Sequence, residues 1–134
     1  MTPEEGSAKA WVLDSSALLA MLQSEPGGDL VQELLEASLM STVNWSEVVQ
    51  KALDRKVETA GLRDDLEALG LEIIPFTPEQ AERTARLRSQ TQQFGLSLGD
   101  RACLALAEER TLPVITADRV WDSMEIGIEV RVIR

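Results

Sequence analysis

Four acidic residues, Asp14, Glu47, Asp100 and Asp118, each fall where a run of strand character has just ended or a helical run is just beginning. Carboxylates brought together repel one another. At about 4 Å and an effective dielectric near 20, a pair costs about 4 kcal/mol. A fold that gathers four of them needs cations to hold them. The chain has no histidine and a single cysteine, which excludes imidazole-built zinc sites and His-dependent acid–base or Ser-His-Asp catalysis. Oxygen ligands point instead to Mg²⁺ or Mn²⁺. Such ions at a sheet edge suggest phosphate chemistry.

The elements that must position these acids follow from the hydrophobic pattern. Short β-like runs alternate with longer helical stretches, as in a parallel sheet covered by helices. Strands are expected at residues 10–13, 39–43, 71–76, 113–116 and 129–133. The intervening helices open at Asp14-Ser15-Ser16, near Asp29, at Asn44-Trp45-Ser46-Glu47, near Thr59, at Thr77-Pro78-Glu79 and at Ser97-Leu98-Gly99-Asp100. Pro26-Gly27-Gly28 ends the first of them, and Gly70 closes the one running from 59 to 69. The helix from Pro78 is expected to run to about Gln93, burying Ala81, Ala85 and Leu87.

In a parallel sheet all carboxyl ends lie at one edge, and ligands bind in the crevice outside it. Asp14 follows the first strand and Asp118 the fourth. Glu47 is expected in the first turn of the helix leaving the second strand. Asp100 begins the helix that feeds the fourth strand; that helix runs antiparallel to the strand, so its first turn lies at the same edge. Each acid also has an ordinary structural role open to it. Asp14 suits a helix cap, Glu47 a capping box with Asn44, and Asp100 one with Ser97. An acid in a cap can still offer its second oxygen to a metal.

Composition sets the frame. The chain has 134 residues, 44% hydrophobic and 27% charged, which suits one globular domain with a full core. Residues 1–9 are expected to be a loose tail and 10–134 the domain. No stretch suits a membrane span, and no secretory signal is read at the start. Cys103 sits in an apolar helix, excludes an intramolecular disulfide and is compatible with a cytoplasmic protein. The net charge of −10 runs against the usual basic balance of nucleic-acid binders. Four of those charges are the candidate site acids. Two basic groups remain of interest, Lys51, Arg55 and Lys56 on one helix and Arg83, Arg86 and Arg88 on another, each equally readable as a solvated helix face.

Four segments together carry a family likeness: Val12-Leu13-Asp14-Ser15-Ser16-Ala17, Asn44-Trp45-Ser46-Glu47-Val48, the run from Leu96-Ser97-Leu98-Gly99-Asp100-Arg101-Ala102 to Ala107, and Pro113-Val114-Ile115-Thr116-Ala117-Asp118. They resemble the PIN-domain nucleases, and among these the VapC-type toxins of bacterial toxin–antitoxin pairs. The resemblance covers nearly all of the chain after residue 9. It implies a three-layer α/β/α domain with a mostly parallel sheet of about five strands. It places the family's acidic quartet on Asp14, Glu47, Asp100 and Asp118 as catalytic, metal-binding residues. Ser15 and Thr116 match small hydroxyl positions beside the metal, and Asp122, one turn beyond Asp118, is a second candidate for the fourth ligand.

The implied activity is Mg²⁺- or Mn²⁺-dependent hydrolysis of RNA phosphodiester bonds. The ion would lower the pKa of the attacking water and neutralise charge on the phosphate. RNA as substrate, a homodimer and an antitoxin covering the groove come from the resemblance alone. Leu30, Leu34, Val48 and Leu53 suit either such a groove or the core. A PIN-like nuclease of RNA maturation or decay, and a PIN-like module that binds without catalysis, remain open alternatives. A phospho-receiver domain fits poorly: a single Asp follows the first strand, and Ile74-Pro75-Phe76-Thr77 lies where a phosphorylatable Asp is needed. A haloacid-dehalogenase-like phosphatase needs Asp-x-Asp, which Asp14-Ser15-Ser16 denies.

Overall fold

The computed structural model describes residues 8–134. Five strands, β1 (Trp11–Leu13), β2 (Ser38–Ser41), β3 (Glu72–Ile74), β4 (Val114–Thr116) and β5 (Val130–Val132), form one sheet in the order β3-β2-β1-β4-β5. Every pairing is parallel. The strands are short, three or four residues each, because helices cover both faces and nearly every strand side chain is needed for packing.

Among the described residues seven α-helices complete the layers: α1 (Ser15–Leu22), α2 (Gly28–Leu34), α3 (Thr42–Asp54), α4 (Leu62–Ala68), α5 (Pro78–Arg86), α6 (Arg88–Thr91) and α7 (Leu98–Arg110). Register sorts the core. Val12 lies beside Leu39 and Val114, and this face packs on Cys103 to Ala107 of α7, with Leu87 and Trp121. Leu13 and Ile115 are neighbours on the opposite face. There they meet Ala17, Leu18 and Leu19 of α1, Val31, Met40, Val48 and Leu66. This is the expected α/β/α sandwich. Trp121 is buried at 1% exposure and serves packing.

Of the expected N-terminal tail, residues 1–7 lie outside the described residues. Lys9 is tied down by its ammonium, which donates to the carbonyls of Glu36 (2.9 Å) and Gly70 (2.6 Å). Gly70 itself adopts φ +107° just past α4, a conformation that costs glycine little. Among the described residues no helix is long and apolar enough to cross a membrane.

Three local expectations are corrected. The second strand does not run to Val43. It stops at Ser41, whose hydroxyl accepts from the Val43 N–H and caps α3, so helix begins at Thr42. The β-branched pair Thr42-Val43 reads as strand, but a free serine cap outweighs that preference. The long helix to Gln93 breaks after Arg86, giving α5, α6 and a 3-10 turn over Gln92–Phe94. Its buried side is also different. Gln80, Thr84, Leu87 and Thr91 face inward, whereas Ala81 and Ala85 are exposed. Buried threonine hydroxyls reach back to carbonyls four residues earlier, Thr84 to Gln80 and Thr91 to Leu87, a bond that bends helices and makes polar residues tolerable inside.

Candidate active site

Asp14 is the floor of the site. It follows β1 and caps α1, with its Oδ1 accepting from the Ala17 N–H at 2.9 Å. Thr116, last residue of β4, donates its hydroxyl to Oδ2 at 2.6 Å. Ser16 Oγ lies 2.8 and 2.9 Å from the two carboxylate oxygens. A serine has only one proton, so Asp14 receives at most three donated hydrogens for its four or so lone-pair directions. One direction stays open. The carboxylate is 3% exposed, and burial, helped by the charge of Asp100, pushes its pKa up to about 6 against 3.8 for a free side chain, despite the hydrogen bonds that oppose the shift. It is a buried carboxylate with no cationic side chain bonded to it among the described residues.

Glu47 is held beside this floor. It belongs to the second turn of α3, not the first, and Asn44 is no cap: both follow from the helix starting at Thr42. Asn44 is instead fully buried. Its amide donates to Glu47 Oε1 (3.1 Å) and to the Gly99 carbonyl (3.0 Å), locking α3 to the start of α7. Ser15 donates to the same Oε1 at 3.1 Å. The Glu47 carboxylate rests directly against the Cα of Gly99, where any side chain atom would collide with it. Oε2 makes no hydrogen bond among the described residues.

Asp100 lies one residue further along α7. It forms the expected capping box, with Ser97 Oγ accepting from the Asp100 N–H and Asp100 Oδ2 accepting from the Ser97 N–H. This leaves Oδ1 without a partner among the described residues. Asp118 follows β4. Its N–H donates to Thr116 Oγ1 (3.0 Å) and its Oδ1 accepts from the Val120 N–H, again leaving one oxygen unused. Asp118 is exposed, as is Asp122 in the 3-10 turn Arg119–Ser123.

A buried thiol reports the convergence. Cys103, one turn into α7, is pushed well above its ordinary pKa by burial first, and then by Asp14, Asp100 and Glu47. Three acids drawn from β1, α3 and α7 thus act on one point. Asp118 joins through Thr116, which bonds to both it and Asp14. Ser15 and Thr116, singled out in the sequence, do touch acids of this cluster. Ser16 and Asn44, which were not, tie it together. Ser16 also accepts from the Ala117 N–H at 3.0 Å, fastening the start of α1 to the turn after β4. Asn44 was hidden by being read as a cap; a polar residue one turn before a site glutamate is the signal that could have exposed it.

The donor set fits a hard divalent ion in kind. All ligands on offer are oxygens, and among the described residues three carboxylates keep one oxygen free and no lysine or arginine pairs with them. The set is not yet closed: among the described residues no three acidic, cysteine or histidine side chains surround a common point tightly enough to hold an ion. Elsewhere on the surface, of the apolar residues suited to a groove, Val48 is buried, Leu30 and Leu34 are half-buried, and Leu53 is exposed at 57%.

The fold has many solved counterparts. A chain from a Klebsiella pneumoniae toxin–antitoxin complex superposes with a TM-score of 0.72 at 24% identity, covering 93% of this chain and 98% of that one. A member of the VapBC family, VapBC-5 from Mycobacterium tuberculosis, gives 0.59 at 26% identity over 93% and 98%. VapC20 of M. tuberculosis, described as a sarcin–ricin loop cleaving toxin, gives 0.65 at 12% identity over 87% and 97%. No curated protein matches the sequence significantly. The profile of the PIN domain, however, matches residues 11–126. That span takes in all four acids and the strands that carry them, and the chain belongs to the PIN domain family.

Proposed function

We propose that this protein is a metal-dependent ribonuclease of the VapC toxin type, with Asp14, Glu47, Asp100 and Asp118 as its metal-binding acids. The observation that carries this reading is the buried Asp14, which no cation answers among the described residues, joined through Thr116 to Asp118 and flanked by Ser15, which holds Glu47; burial pushes its pKa up to about 6. Such a carboxylate is costly at neutral pH unless a positive charge answers it. Mg²⁺ or Mn²⁺ bound there would supply positive charge against the scissile phosphate and acidify the attacking water.

The chain's own residues do the rest. Thr116 and Ser16 hold Asp14 with one lone-pair direction unused, and Ser15 with Asn44 fixes one oxygen of Glu47 and frees the other. The capping box does the same for Asp100. Asp118, at the exposed rim, completes the set or shares that place with Asp122. Water as nucleophile makes a 2′-hydroxyl dispensable, so RNA as substrate rests on likeness to ribonuclease toxins.

The resemblance to toxin–antitoxin complexes supports a cognate antitoxin; a homodimer and a cytoplasmic setting are part of the same proposal. Exposed Leu53 and Val57 at the end of α3 offer apolar surface to a partner. The test is cleavage of RNA by purified protein with Mg²⁺ or Mn²⁺, its silencing by EDTA, and growth arrest on induction of the wild type but not of Asp100→Asn. Identical growth with both, and no metal-dependent cleavage, leaves a binding module and ends the nuclease reading.

A further inference from the structure

A protein of net charge −10 that presents acids to a polyanion must offset that repulsion locally. Most of its cations are already committed. Among the described residues Arg63, Arg83, Arg110 and Arg134 sit in ion pairs. Lys9, Arg101 and Arg119 donate to carbonyls, and Arg131 lies over the Trp11 ring. Five basic side chains have no such partner. They form two groups, Lys51, Arg55 and Lys56 at the end of α3, and Arg86 and Arg88 where α5 gives way to α6.

The first group belongs to the helix that carries Glu47. Thr42 Oγ1 accepts from the Phe76 N–H just after β3, while Glu47 meets Ser15 just after β1. With β2 between those strands, α3 crosses the carboxyl edge instead of descending from it. Lys51 and Arg55 follow Glu47 at four-residue steps, about 6 and 12 Å further along the axis. They lie on the side bordering the buried Asn44, Val48 and Ala52. Asp54, seven residues after Glu47, lies within about 20° of it around the helix and flanks the two basic side chains.

These side chains are not needed to finish the helix. The N–H groups of Arg55, Lys56 and Val57 already satisfy the carbonyls of Lys51, Ala52 and Leu53. Lys56 even takes φ +59°, where glycine is the low-cost residue. The second group lies on helices that carry none of the acids: α5 runs antiparallel to α7, with Gln80 and Arg83 meeting Glu109 and Glu108 near the end of α7 and Arg101 reaching the Thr84 carbonyl nearer its start.

We propose that Lys51 and Arg55, with Lys56 beside them, form a strip that holds backbone phosphates of single-stranded RNA next to the phosphate offered to the acids. This deepens, and rests on, the nuclease reading above. The experiment compares the full-length wild type, Lys51→Gln/Arg55→Gln, and Arg83→Gln/Arg110→Gln, which changes net charge equally at the far end of α7, beside Glu108 and Glu109. Binding of an unstructured ribo-oligonucleotide is measured in EDTA over a salt series, and cleavage with Mg²⁺ in parallel.

Loss of two phosphate contacts makes the log–log salt dependence shallower by about 1.4. It raises KM about tenfold and leaves kcat within about twofold. The Arg83/Arg110 variant stays near wild type. An unchanged salt slope, or equal losses in both variants, overturns the strip. A loss of kcat at constant KM does so too. Because binding is read without metal, a wild type that binds through the strip but never cleaves overturns the nuclease reading alone.

Discussion

The floor and the rim of this site are built on different terms. Asp14 on the floor is buried, bonded to groups from α1 and β4, and carries a pKa near 6. Asp118 on the rim is exposed and bonded only to its own turn and to Thr116. The floor holds its geometry through packing and pays in electrostatic cost; the rim costs the fold little and is held loosely. An ion would therefore be anchored by the floor and completed by the rim. Variants that separate stability from activity distinguish the two regions.

The largest effect is expected at Asp14. In Asp14→Asn, cleavage falls by more than about 100-fold, since a ligand should matter more than its supporting hydrogen bonds. Stability at pH 7 rises instead, by up to about 3 kcal/mol for a shift of about two pK units. The pH dependence has a definite sign. The folded chain holds the Asp14 proton more tightly than the unfolded one, so the contribution is fully favourable below pH 3.8 and is lost as pH rises through about 6. In metal-free protein, denaturant midpoints of wild type and variant should therefore converge near pH 3.5 and separate by pH 7. Mg²⁺ should raise the Tm of the wild type and leave that of Asp14→Asn unmoved. A destabilised variant at pH 7 would refute the description of the floor.

Gly99→Ala strikes between the regions. Its methyl group occupies the place of the Glu47 carboxylate, so Glu47 must swing away and break its bonds to Asn44 and Ser15. Activity should drop about 10- to 100-fold, with a changed Mg²⁺ dependence visible in a metal titration of the rate. Thr116→Val removes one donor from Asp14 and the acceptor of the Asp118 N–H. It should cost about 1–3 kcal/mol in a chemical denaturation curve, alongside an activity loss of similar size to that of Gly99→Ala.

The smallest changes test the rim. Asp118→Asn should lower the cleavage rate while keeping stability within about 0.5 kcal/mol, and Asp122→Asn should move neither. If the two exchange behaviour, Asp122 is the fourth acid.

Much of this arrangement was legible in the chain because it depends on local signals. Ser97 and Asp100 announce their capping box, Pro78 its helix start and Gly70 a helix end. The alternation of elements implied the parallel sheet, hence a common edge for the acids. What misled was local chemistry with two solutions. Thr42-Val43 suits a strand as well as a helix start, and Ser41 and Asn44 are both good caps. Only the burial of Asn44 between α3 and α7 decides between them. On α5 the alanines look like the core face, yet the buried stripe is Gln80, Thr84, Leu87 and Thr91, because threonine hydroxyls find carbonyls within their own helix.

The order of residues alone thus determined the α/β class and the parallel alternation of elements, since residue type and period-two or period-3.6 patterning are properties of short segments. Tertiary structure decided what each acid experiences. Burial set the pKa of Asp14, and Gly99 and Asn44 set the place of Glu47. Desolvation and contact between distant segments exist only once the layers have closed.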